Sequence, residues 1–202
     1  TVFLGETLSL SSSYSPQDTD WPAIRWESSD KDVLTVRQDG TVLPHALGDA
    51  LVTAASLDGS ALSASCHITV LQPVAAVSLG RSSLALYKGE TARLSPAVSP
   101  QNASVTDLDW SSSAPAVAEV DENGVIKALA PGTAVIAAAA TDGSGKTASL
   151  PVSVRQPVSR IKLSSASATL YTGKKLTLTA AVSPADAYAK GVAWQTSNAK
   201  IA

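Results

Sequence analysis

Few side chains in this sequence could do chemistry. They are two histidines, His45 and His67, one cysteine, Cys66, and acidic groups clustered at Asp18 and Asp20, Asp30 and Asp32, and Asp121 and Glu122. Imidazole, thiolate and carboxylate together are the ligand set of zinc. Closely spaced carboxylates offer hard oxygen ligands to calcium, with Asp30 and Asp32 the better pair. Trp21, preceded by Asp18 and Asp20 and followed by Pro22, offers a ring on which a sugar could stack or a partner anchor. Tyr14 and Tyr188 are weaker candidates of the same kind. Against zinc, Cys66 and His67 are adjacent, and adjacent residues on a strand point to opposite faces. The plain reading is two solvent-facing histidines and a cysteine used as a small buried hydrophobe. Serine is abundant, yet no Gly-x-Ser-x-Gly elbow and no glycine-rich phosphate loop of the required spacing occurs. The expectation is a protein without catalytic residues and without a cofactor, with calcium at Asp30 and Asp32 the one metal left open.

The elements that would position these groups show themselves by repetition. Gly5-Glu6, Gly89-Glu90 and Gly173-Lys174 lie 84 residues apart, as do Ser15-Pro16, Ser99-Pro100 and Ser183-Pro184, and Trp26, Trp110 and Trp194. Asp39-Gly40 matches Asn123-Gly124, Asp58-Gly59 matches Asp142-Gly143, and Leu71-Gln72-Pro73-Val74 matches Arg155-Gln156-Pro157-Val158. A fixed period of this kind marks an array of one structural unit. The expected boundaries are residues 1–71, a domain lacking its first strand; 72–155, a complete domain; and 156–202, the N-terminal part of a third, which is expected to need neighbouring sequence or another chain. With no methionine anywhere, the sequence is expected to be a piece of a longer polypeptide.

Within the middle unit apolar residues recur every second position, as at Ala134, Ile136 and Ala138 and again at Leu150, Val152 and Val154. That is strand periodicity. Antiparallel strands are predicted at 74–80, 83–87, 91–98, 106–111, 116–120, 124–129, 133–141 and 145–154, with Asn123-Gly124 and Asp142-Gly143 closing tight turns. Seven or so short strands in one period, with a tryptophan on the third, predict an all-β, immunoglobulin-like sandwich held without a disulfide. Trp26, Trp110, Trp194, Cys66, Ile136 and Val152 are the expected core. Phe3, Tyr87 and Tyr171 share one register position and read as structural. Full burial of a tryptophan at roughly 150–250 Å² is an upper estimate of about 4–6 kcal/mol, so Trp110→Ala is expected to cost about 3–5 kcal/mol.

Charge and hydropathy exclude several partners. A net charge of −2 without a basic cluster gives no footprint for nucleic acid or anionic membrane. The longest apolar run, Ala134 to Ala140, is seven residues, far short of the roughly 20 that span a bilayer. A single cysteine cannot close an internal disulfide, which suits a bacterial source better than a secreted eukaryotic one.

The order Gly89-Glu90, Ser99-Pro100, Trp110-Ser111-Ser112-Ser113, Val117-Ala118-Glu119-Val120, Asn123-Gly124-Val125-Ile126, Pro131-Gly132-Thr133-Ala134-Val135-Ile136 and Val152-Ser153-Val154 resembles the bacterial immunoglobulin-like domain, group 2. The first unit follows it through Trp26-Glu27-Ser28-Ser29, Asp39-Gly40-Thr41-Val42, Leu47-Gly48-Asp49-Ala50 and Ile68-Thr69-Val70. The resemblance implies an extracellular, bacterial cell-surface setting: adhesins of the intimin and invasin type, leptospiral surface proteins, S-layer-associated proteins, or multidomain cell-wall and polysaccharide enzymes. It supplies no catalytic residue. The leading expectation is a stalk segment whose partners are flanking domains of the same polypeptide. Short Gln-Pro connections limit hinging, and units about 35–40 Å long in series would form a rod. The alternatives are a module that binds a glycan or host surface protein through Trp21, Asp18 and Asp20, and an accessory module of a polysaccharide-acting enzyme.

Overall fold

The structure, a computed structural model, describes residues 1–15 and 23–199. Its elements are β-strands throughout, and no helix among the described residues is long and apolar enough to cross a membrane. The first repeat holds β1 (Val2–Phe3), β2 (Leu8–Ser9), β3 (Ile24–Ser28), β4 (Leu34–Val36), β5 (Thr41–Pro44), β6 (Gly48–Ser56) and β7 (Ser63–Leu71). The second holds β8 (Ala76–Ser78), β9 (Leu84–Tyr87), β10 (Thr91–Arg93), β11 (Ala97–Ser99), β12 (Leu108–Ser112), β13 (Ala118–Val120), β14 (Val125–Ala128), β15 (Gly132–Ala140) and β16 (Thr147–Arg155). Downstream lie β17 (Arg160–Leu163) and β18 (Ala180–Ser183). Strands β12 to β16 begin and end 84 residues after β3 to β7 without a slip. The described residues within Thr1–Val77, Ala97–Leu108 and Ala139–Thr147 form one compact unit, and those within Ser78–Pro96, Asp109–Ala138 and Ala148–Ala202 another.

Each of the first two repeats is a two-sheet sandwich of immunoglobulin type. In the first the sheets run β1-β7-β6-β3 and β2-β5-β4; in the second they run β9-β16-β15-β12 and β10-β14-β13, with β8 paired to β11. Two expectations need correction. The strand predicted at 91–98 is split into β10 and β11, because Pro96 between them has no N–H to give a ladder. The sheets are also not wholly antiparallel: β1 pairs parallel with β7, and β9 with β16. The reason is the divided first strand, whose β8 half pairs with β11 while its β9 half crosses to the other sheet.

Alternation along the strands fills the core. Val52 and Ile68 are about 1% exposed, and Ile136, Leu150 and Val152 at most 1%. Equivalent positions trade volume. Leu34 has Ala118 as its counterpart, a loss of three carbons. Val2, Val42 and Val52 face Leu86, Ile126 and Ile136, which regain one carbon each, and all eight are buried. Close packing tolerates such swaps when the total volume is kept.

The tryptophans sit differently from the expectation. Trp26 and Trp110 are half-buried, on the edge strands β3 and β12. A Cβ built on Gly124, where φ is +71°, would lie 2.7 Å from the Trp110 ring; one on Gly40 would lie 3.5 Å from the Trp26 ring and would collide with the Leu10 carbonyl. The Asn-Gly and Asp-Gly turns are therefore more than turns: their glycines are the floor on which each indole lies. Trp194 is 54% exposed, and the 84-residue register puts the counterpart of Gly124 past residue 202. Cys66 is exposed too, although its counterpart Leu150 is 0% exposed. Burial along β7 is lost on passing from Ile68 to Ser63. Val74 and Leu79, buried in the second repeat ahead of β9, have no counterpart in the first within these residues. Tyr87 and Tyr171 are likewise 40% and 83% exposed, so their shared register position is not a core position.

Because Trp110 is half-buried, Trp110→Ala should cost about 2–3 kcal/mol rather than the figure for a fully buried ring. Gly124→Ala should cost more than Gly89→Ala, which has nothing within 4 Å of its would-be Cβ and carries only the left-handed penalty of about 1–2 kcal/mol. In a Trp110→Ala background the two alanine substitutions should cost the same. Urea unfolding of the double-mutant cycle checks this, and strict additivity would refute the indole-on-glycine contact.

Candidate functional site

The residues singled out in the sequence are dispersed by the fold. Asp18, Asp20 and Trp21 lie outside the described residues. His45, at the end of β5, shares a 2.8 Å hydrogen bond between its Nε2 and the Thr35 hydroxyl. His67, on β7, stands 3.5 Å from the Asp49 carboxylate, which also accepts the Thr69 hydroxyl at 2.7 Å; both partners of this pair are exposed. Asp30 Oδ1 accepts the N–H groups of Asp32 and Val33 at 2.9 and 3.3 Å, capping the turn into β4. Asp121 Oδ1 does the same for Asn123 and Val125 at 2.9 and 2.8 Å. These carboxylates organise turns, a common use of aspartate at such positions. Among the described residues no three His, Cys, Asp or Glu side chains gather closely enough to hold a metal ion.

What the fold does bring together lies where the chain passes from one repeat to the next. Pro73 restricts the chain and itself lacks an N–H, and the buried backbone around it needs partners. Gln72 donates its N–H to the Ser104 hydroxyl at 2.8 Å and its carbonyl accepts the Ser104 N–H at 3.0 Å. Val74, 1% exposed, donates its N–H to Asp142 Oδ2 at 2.7 Å. Ala75 donates to the Ser99 carbonyl at 2.7 Å. Asp142 is held by its own turn, Oδ1 accepting the Ser144 N–H at 2.9 Å. Phe3, half-buried, brings its ring within 4.0 Å of where a Cβ on Gly143 would stand. Phe3 thus lies against the β15–β16 hairpin.

Two of these bonds recur 84 residues on. The Gln156 carbonyl accepts the Tyr188 N–H at 2.9 Å, and Ser159 donates to the Ser183 carbonyl at 2.9 Å. In place of the serine hydroxyl, the Tyr188 ring lies 4.0 Å beneath the Arg155 guanidinium, an exposed cation–π contact of about 0.5–1 kcal/mol. Tyr188, a candidate ligand anchor by its sequence, is engaged within its own repeat boundary. Sequence reasoning missed Gln72, Ser104 and Asp142 as a set. The available signal is the recurrence of Asp-Gly and Gln-Pro at one spacing, which taken separately mark a tight turn and a repeat boundary.

Electrostatics support the junction. Partial burial would raise the Asp142 pKa, but the Ser144 hydroxyl and the N–H groups of Val74 and Ser144 outweigh it and hold the carboxyl below its ordinary value. Asp58, the counterpart of Asp142, is brought to about 2 by the hydroxyls of Ser56 and Ser60 and the Ser60 N–H. A depressed carboxylate contributes stability above its unfolded pKa and loses that contribution as pH falls through its folded pKa. The melting temperature of the native chain should therefore exceed that of Asp142→Ala near neutral pH, with the gap closing as pH drops below about 4. A gap that stayed constant down to about pH 2 would refute an ionised Asp142 as the junction acceptor.

Comparison with known proteins follows this geometry. The family model described as bacterial Ig-like domain (group 2) matches residues 1–66 and again 73–150. An uncharacterized protein of Clostridium acetobutylicum is 34% identical over 161 residues, 80% of this chain and 17% of that protein. A 3-O-alpha-D-galactosyl-alpha-L-arabinofuranosidase of Bifidobacterium longum subsp. longum is 38% identical over 69 residues, 34% of this chain and 6% of that enzyme. Among solved structures, domains 1–6 of the surface layer protein SbsC align at 20% identity and a TM-score of 0.38, covering 70% of this chain and 21% of that one. The chain thus spans a small part of the length of the curated relatives it matches.

Proposed function

The chain belongs to the bacterial immunoglobulin-like domain family, group 2, and on that premise we propose that it is a non-catalytic stalk segment of a bacterial envelope protein, acting outside the cell. The observation that supports this reading is the junction. Polar groups that could have faced a ligand are engaged where one repeat passes to the next: Gln72 with Ser104, Val74 with Asp142, and, 84 residues on, Gln156 with Tyr188. We place the domain boundaries at 1–71, 72–155 and 156–202, at the Gln-Pro pairs. Flanking domains of the same polypeptide are then the principal partners, and a spacer of this kind holds a terminal domain away from the envelope.

A second reading, an accessory module of a polysaccharide-acting enzyme, draws support from the 38% identity to the Bifidobacterium arabinofuranosidase. A binding screen separates these. The folded chain is incubated with a panel of plant and host glycans and extracellular-matrix proteins, with and without calcium. The stalk reading expects silence across the panel and a melting temperature unmoved by calcium. Saturable binding to an arabinose- or galactose-containing glycan would replace it with the accessory reading. Saturable binding to a host protein, lost in Trp21→Ala, would replace it with adhesion through Trp21, Asp18 and Asp20.

A further inference from the structure

Strand β12 closes one side of its sheet and is bonded only to β15. The second repeat already has its strands β8 to β16 in place, so this edge is open by the topology of the sandwich. The Ser113 N–H donates to the Val135 carbonyl and the Thr141 N–H to the Asp107 carbonyl. Backbone groups alternate in direction along an antiparallel ladder, so Asp109 and Ser111 also face β15, while Leu108, Trp110 and Ser112 face away from it. Ser112 is tied to the other sheet by its hydroxyl, which donates to the Ala118 carbonyl at 2.6 Å. The open stretch is therefore Leu108 to Trp110. In the first repeat the same edge is covered: Gln38 Oε1 accepts the Trp26 N–H and Gln38 Nε2 donates to the Trp26 carbonyl, both at 3.4 Å. One side-chain amide takes the place of a neighbouring strand. The counterpart of Gln38 is Glu122; a carboxylate has no N–H to give a carbonyl, and among the described residues no bond joins Glu122 to Trp110. The charge of the edge changes as well. Arg25, Thr35 and Gln38 line one groove of ≈ 410 Å³ along β3, and their counterparts along β12 are Asp109, Glu119 and Glu122.

We propose that the open edge of β12 accepts β17 of a second copy of this chain, in an antiparallel pairing selected by charge. Unpaired edge groups are the template that strand addition requires. The occupant follows from charge complementarity: β17, Arg160-Ile161-Lys162-Leu163, carries two cations and no carboxylate. It is bonded on one side only, to β18, just as its counterpart β8 is bonded only to β11. The Ser164 N–H donates to the Thr179 carbonyl, so by the same alternation Lys162 faces β18 and the backbone groups of Ile161 and Leu163 face out. Set antiparallel, Trp110 meets Ile161 and Leu108 meets Leu163, each pair exchanging both of its ladder bonds. That register places Lys162 opposite Asp109, an attractive cross-strand pair, and Glu122 adds a negative charge beside the incoming strand. Two β12 edges pairing with each other would instead bring carboxylates together, which like-charge repulsion opposes. Donor and acceptor are different strands, so the contact is heterologous and passes from copy to copy. The inference goes beyond the stalk reading and does not rest on it.

The test is sedimentation equilibrium of the full chain, with a thiol reductant present, together with hydrogen exchange. At low salt the average mass should rise with concentration, the N–H groups of Leu108 and Trp110 should gain protection as it does, and high salt should weaken the association several-fold. Lys162→Asp and Asp109→Lys, both at exposed positions, should each raise the dissociation constant on the order of tenfold. An equimolar mixture of the two variants should recover association, because the reversed charges then meet. Glu122→Gln, which supplies the amide that Gln38 has, should cover Trp110 and weaken association several-fold without lowering the melting temperature. Lys88→Asp, at an exposed turn, should leave association unchanged. A chain that stays monomeric at every concentration, variants that do not recover on mixing, or association as strong in Glu122→Gln would each overturn the proposal. Protection of Leu108 and Trp110 gained on adding polylysine, and not on raising the concentration of the chain itself, would overturn it in favour of a basic partner.

Discussion

The structure depends on one amide that has nowhere else to turn. Val74 is buried just after a proline, so its N–H cannot reach water and the residue before it cannot help. Leaving such a group unpaired costs about 1–3 kcal/mol. The acceptor comes from 68 residues away in sequence, the carboxylate of Asp142 on the β15–β16 hairpin. That bond ties the start of the second repeat to its last hairpin, and through Phe3 and Gly143 the first repeat touches the same hairpin. A turn aspartate thereby has two tasks, one oxygen for its own loop and one for the linker.

A similar economy governs the glycines. Asn123-Gly124 would be explained by turn geometry alone, and a left-handed asparagine could in principle substitute for the glycine. The indole of Trp110 removes that freedom, because any Cβ at Gly124 meets the ring. Turn and tryptophan are one feature, separated by 14 positions in sequence and superposed in space. This is also why a half-buried tryptophan can seal a sandwich without a disulfide. It lies flat on backbone at the sheet edge instead of standing in the middle of the core.

The strands and their register were legible because both follow from short-range rules. Alternation of apolar residues sets the faces, Asp-Gly and Asn-Gly close the hairpins, and an ungapped 84-residue repeat copies β3–β7 into β12–β16. The family was legible for the same reason. Burial at the ends of strands was not. Cys66 alternates correctly with Ile68 and Val70 and still comes out exposed, because alternation assigns a side chain to a face and says nothing of whether that face is covered there. Trp194 likewise holds the register position of Trp26 and Trp110 and is exposed. The junction was hidden for a third reason. Its bonds join residues 32 and 68 positions apart, and mostly use backbone groups, which carry no sequence signature.

That last point bears on how the repeats are free to diverge. Across the two boundaries the glutamine carbonyl and the partner backbone N–H are constant, while the residue that carries that N–H changes from serine at 104 to tyrosine at 188. The serine adds a hydroxyl acceptor for Gln72; the tyrosine adds a ring for Arg155. Backbone pairing is indifferent to this exchange, just as the core is indifferent to Leu34 becoming Ala118 once Leu86, Ile126 and Ile136 restore the volume. What is held in common is main-chain geometry, set by Gln-Pro, Ser-Pro and Asp-Gly. A repeat constrained in this way can alter the chemistry of its surface, residue by residue, without altering how it joins its neighbour, which is the property a modular array needs.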